Sequence, residues 1–91
     1  MQNIVVKEVI CMVKIFDITA DDNRIRCYYT PENTDLKGFV EIDRETLEIT
    51  KVKYSEFEYG KRMYVAHVRS KISELIKANK PLPKETYAIW Y

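Results

Sequence analysis

Residues 39–52, FVEIDRETLEITKV, decide the architecture. Val40 and Ile42 recur with a period of two, a loop follows at Arg44 to Leu47, and Ile49 opens a second arm rich in β-branched residues. Two such arms around a short loop read as a β-hairpin, with Gly38 opening the first strand and Ile42 opposite Ile49. In that register Val40, Ile42 and Ile49 share one face, while Phe39, Val52 and Tyr54 lie on the other.

Downstream, Ser55 to Tyr59 form a linker, and from Gly60 to Asn79 the period changes to that of a helix. Tyr64, Val65, Val68, Ile72, Leu75 and Ile76 fall in a stripe roughly 120° wide, enough to seat one helix on a sheet. Lys77 and Lys80 suit the negative end of its dipole, and Pro81 and Pro83 stop it. The closing ETYAIWY is rich in β-formers, so residues 86–91 are expected as a final strand that ties Trp90 and Tyr91 into the sheet.

Upstream, residues 4–16 (IVVKEVICMVKIF) read as a long first strand with apolar residues on both faces. Thr19 to Asn23 form a turn, and residues 24–30 form a second strand whose odd positions face the core. Residues 31–37 are a polar loop. The fold class expected is α+β in one domain, 1–91: an antiparallel four- to five-stranded curled sheet in β-β-β-β-α-β order. One C-terminal helix packs on one face.

The hairpin at residues 39–52 resembles one common in PepSY-like and other small α+β modules. There a Gly usually stands at the place of Leu47, and a left-handed backbone is costly for Leu.

Composition narrows the function classes. Of 91 residues, 46% are apolar and 32% charged, with few Gly and Pro, which is the balance of a chain that folds. No run of about 18 apolar residues exists to span a membrane, and no signal-like leader opens the sequence, so the expected compartment is cytoplasmic. Cys11 and Cys27 are the only cysteines, lack CxxC spacing, and read as free thiols.

Motifs for chemistry are absent from the sequence. His67, the single histidine, lies off the apolar stripe beside Met63, Ser70, Lys71 and Glu74, with no HxxxH or HExxH pattern. It reads as a surface histidine, or else as a base or a pH-responsive contact. Asp21 and Asp22, and Asp43, Glu45 and Glu48, lie in turns without calcium-loop spacing. No Gly-rich phosphate loop is present. Neither an enzymatic activity, a metal nor a cofactor is therefore expected.

What remains is surplus apolar surface. One helix covers one face of a sheet, yet the first strand and the hairpin carry apolar residues on both. The expected function is a non-enzymatic protein-interaction module, either a homodimer or a small adaptor or inhibitor. Its candidate interface is Phe39, Val52, Tyr54, Trp90 and Tyr91. The alternative is nucleic-acid binding on the helix, because residues 51–80 sum to about +5 against about −4 for residues 21–50. Arg62, Arg69, Lys77 and Lys80 would be its phosphate contacts.

Overall fold

Five strands and one α-helix follow one another in the computed structural model, which describes residues 11–58 and 63–90. They are β1 (Cys11–Ala20), β2 (Arg24–Pro31), β3 (Gly38–Asp43), β4 (Ile49–Lys53), α1 (Met63–Lys77) and β5 (Thr86–Trp90), with a 3-10 turn at Glu56–Glu58. Every neighbouring pair is antiparallel, and the spatial order is β4-β3-β2-β1-β5. β4 and β5 are therefore the two edges of an open sheet. The class is α+β, with one helix on one face. The expected residues 4–10, 60–62 and 91 lie outside the described residues.

Alternation puts Val13, Ile15, Ile25, Cys27, Tyr29, Val40 and Ile42 on the helix side, nearly or fully inaccessible to water. Tyr64, Val65, Val68 and Ile72 of α1 meet them, while Ile76 packs at the margin. Each fully buried side chain of this size contributes roughly 1.5 to 3 kcal/mol. Burial also pushes the Cys27 thiol up to about 12, so it stays protonated and packs as a small apolar group.

Two β-bulges bend the expected register. In β1 the pairing shifts between Phe16 and Thr19, with Asp17 at φ 50°, and Ile18 still reaches the core. The strand thus runs on to Ala20, past the expected end at Phe16. Between β3 and β4, Ile42 faces Ile49 as expected, but Glu41 faces Lys51, leaving Thr50 as an extra residue. That insertion inverts the parity of the rest of β4. Val52 consequently faces Val40 and packs on the core, not beside Phe39 as the unbulged register implied.

The hairpin tip explains how Leu47 tolerates its place. Asp43 Oδ1 accepts hydrogen bonds from the Glu45 and Thr46 amides at 2.9 Å, and Leu47 N donates to Asp43 O at 2.8 Å. Leu47 is held at φ 61°, the left-handed region, and Arg69 Nε of α1 donates to its carbonyl at 2.8 Å. The helix ends in a Schellman motif. Asn79 (φ 56°) donates to Ile76 O and Lys80 to Leu75 O, just before Pro81.

The linker before α1 is a buried polar clasp. Tyr29 Oη donates to Glu58 Oε2 and accepts from Ser55 N at 2.9 Å, while Glu58 Oε1 accepts from Val65 N at 3.4 Å. Ser55 and Glu58 are each 3% exposed, so these partners replace the water the groups give up. The clasp needs Gly38: a Cβ there would lie 2.6 Å from the Tyr29 hydroxyl and closer still to Cε1, too close for any side chain.

Candidate functional site

The face of the sheet opposite α1 is built from the outward residues of all five strands, and the pairing arranges them in cross-strand rows. The middle row is aromatic. Phe16 pairs with Tyr28 and Tyr28 with Phe39, with ring centroids 6.0 Å and 5.3 Å apart. Lys53 follows on β4, opposite Phe39. Tyr28 is 40% exposed, so the row is open to solvent at its centre. Such ring pairs contribute about 0.5 to 1.5 kcal/mol beyond their area.

On one side of that row lies a charged network. Arg26 Nε contacts Glu41 Oε2, and Arg24 Nη1 contacts Asp43 Oδ2, both at 3.1 Å. Arg26 Nη1 also reaches Asp21 Oδ2 at 3.1 Å. The Asn23 and Arg24 amides, with Arg26, hold the Asp21 carboxyl down to about 2. The Thr50 hydroxyl, donating to Glu41 Oε1, lowers Glu41 in the same direction. These contacts stitch the β1–β2 and β3–β4 tips together, and Arg44 Nη1 adds a bond to Asp21 O at 2.8 Å.

On the other side the row is cationic. Lys14 faces Thr30 on β2 and Tyr87 on β5, and Lys37 lies just before Gly38, the partner of Tyr29. Lys14 Nζ sits 5.7 Å from the Phe16 ring centroid and Lys37 Nζ 5.4 Å from that of Tyr28, both in cation–π range. Beyond them, Tyr87 and Ile89 are 45% and 62% exposed along the β5 edge. A hollow of about 470 Å³ opens here between the strands and the loop at Asn33 to Asp35.

The expected interface residues divide between the two faces. Phe39 joins the aromatic row, whereas Tyr54, just after β4, is exposed but shares the inward parity of Val52. Val52 and Trp90 do not belong to this surface. Trp90 lies on the helix side, 5.6 Å from Tyr64 edge-on and stacked on His67 at 3.5 Å with planes 9° apart. Tyr91 is outside the described residues. The sequence reading missed Phe16, Tyr87 and Ile89 as surface contacts, although Phe16 shares the parity of Met12 and lies opposite the outward Tyr28.

His67 is half-buried against that indole, and burial lowers its imidazole below the usual 6.5. Of the cations proposed for nucleic acid, Arg69 holds Leu47 O, Lys77 and Lys80 are exposed at the end of α1, and Arg62 is outside the described residues. Among the described residues no three His, Cys, Asp or Glu side chains converge as metal ligands, and no helix is long and apolar enough to cross a membrane. No family model, curated protein or solved structure matches the chain.

Proposed function

We propose that this protein is a non-enzymatic interaction module that presents its helix-free sheet face to a protein partner, a second copy of the same chain. The observation that carries the reading is the aromatic row Phe16, Tyr28 and Phe39 at the centre of that face. Aromatic centres with polar rims are the compositional mark of protein interfaces. Cations and carboxylates both line the rim, through Lys14, Lys51 and Lys53 against Glu41 and Asp43. A face of mixed sign can dock on its own copy without net repulsion.

Size-exclusion chromatography with light scattering tests this directly. A dimer is expected at about 100 μM, reduced to monomer by Tyr28→Glu with the melting transition retained, since Tyr28 is not part of the core. A wild-type monomer at that concentration sinks the self-association reading. Nucleic-acid binding on the helix has less support, because Arg69 already serves the Leu47 carbonyl. A gel shift at ~50 mM salt that disappears in Lys77→Gln/Lys80→Gln would establish it instead.

A further inference from the structure

We propose that the hollow beside the aromatic row is a nucleotide site, which takes a phosphate on Lys14, Thr30 and Lys37 and a flat ring against Phe16 or Tyr87. This goes beyond the protein-interaction reading but shares Phe16 and Lys14 with it, so nucleotide and partner would compete for that flank of the face. The first observation is the lining: Lys14 pairs with Thr30 in the ladder, Lys37 lies just before Gly38, the partner of Tyr29, and all three line the hollow. Two ammonium groups and a hydroxyl are donors suited to an oxyanion.

The second observation is the wall. Phe16 and Tyr87 both line the hollow, and each lysine that would hold the anion already lies near an aromatic face. A ligand anchored by its phosphate therefore has a ring surface within reach, and stacking on such rings is worth about 1 to 3 kcal/mol per base. A bare inorganic anion would leave that surface unused.

The third is the sign pattern of the lining. Asn33 and Asp35 stand at the rim with Glu32, whose Oε2 already accepts from Met12 N and Tyr64 Oη. Carboxylate and amide oxygens there would repel a second phosphate but accept the amino hydrogens of a base. Lys14 also bridges Glu85 at 3.3 Å, a pair with both side chains well exposed, which an incoming phosphate can replace at small cost. The hollow, about 470 Å³, falls within the roughly 300 to 1,000 Å³ of small-ligand sites.

The shared chemistry is a nucleoside phosphate, free or as one unit of a single strand. Titration calorimetry with AMP, inorganic phosphate and an oligodeoxyadenylate of about eight units distinguishes the sources. AMP is expected to bind at least tenfold more tightly than phosphate. Lys14→Gln/Lys37→Gln should weaken it about tenfold or more, Phe16→Ala should weaken AMP but not phosphate, and Lys77→Gln on the helix should change nothing. An oligonucleotide that binds more tightly than AMP and shows the same lysine dependence identifies the strand as the source; equal affinity identifies the free nucleotide. No binding of AMP or oligonucleotide up to about 5 mM overturns the proposal. So does AMP binding no tighter than phosphate, or any binding indifferent to Lys14 and Lys37 in variants that keep the wild-type melting profile.

Discussion

At the scale of single residues, Leu47 and His67 show how local physics departs from preference. Leu47 occupies a left-handed conformation that suits Gly, and the bond its N–H donates to Asp43 O and the one its carbonyl accepts from Arg69 hold it there. Relieving the backbone penalty should outweigh the loss of a half-buried side chain. Leu47→Gly is expected to raise stability by about 0.5 to 1 kcal/mol, read as a rise of several degrees in melting temperature. An unchanged or lower transition would show that the Leu side chain matters more than its φ.

His67 and Trp90 are the only residues of their kinds, so one fluorescence titration reports one contact. Protonated imidazole quenches a stacked indole. Because burial lowers the folded-state value below the 6.5 of an unconstrained imidazole, the folded protein binds this proton less readily than the unfolded chain. The stabilisation is therefore full above about 6.5 and is lost as pH falls through the lower folded value. Trp90 emission should drop on acidification with a midpoint below 6.5, and a midpoint at or above 6.5 would contradict the buried stack.

At the scale of elements, the strands and helix were legible because their periods differ. Ile42 against Ile49 and the stripe Tyr64, Val65, Val68, Ile72 and Ile76 followed from spacing alone, and both stand in the structure. Leu75, expected in the same stripe, is not among the described residues packed on the core. The β4 bulge was not legible. ITKV is apolar or β-branched at either parity, so nothing in it marks Thr50 as an extra residue, and Val52 was placed one face away from where it packs. Trp90 was misplaced for a related reason: TYAIW carries large rings on both parities, and only the meeting with Tyr64 and His67 selects one. The open face was half legible, through Phe39 and the outward parity of Tyr28.

Deleting Thr50 is the direct test of the bulge. The shortened strand keeps Ile49, Lys51 and Val52 opposite Ile42, Glu41 and Val40 with no residue left over, so Val52 still packs inward. A loss of no more than about 1 kcal/mol in urea unfolding is expected, from the Thr50 hydroxyl's bonds to Glu41. A loss of about 2 kcal/mol or more would show instead that Val52 leaves the core and that Thr50 is not the inserted residue.

For the whole molecule, the division of labour is between a face that stabilises and a face that α1 leaves uncovered. α1, the Tyr29–Ser55–Glu58 clasp and the buried valines and isoleucines all act on one side. The other side holds its rings and charges by contacts within the sheet, so its residues are open to substitution without dismantling the core. Tyr28→Glu and Lys14→Gln/Lys37→Gln are informative for that reason.

The order of the strands also fixes an order of events. β1, β2, β3 and β4 are successive hairpin partners whose loops close over a few residues, whereas β5 must return to β1 from the far end of the chain. The meander is therefore expected to assemble first, with one flank of β1 bare, and the Thr86–Trp90 segment to arrive as the closing seam. Pulse-labelled hydrogen exchange during refolding should protect Ile25 to Tyr29 before Thr86 to Trp90; simultaneous protection would show that the molecule condenses in a single step instead.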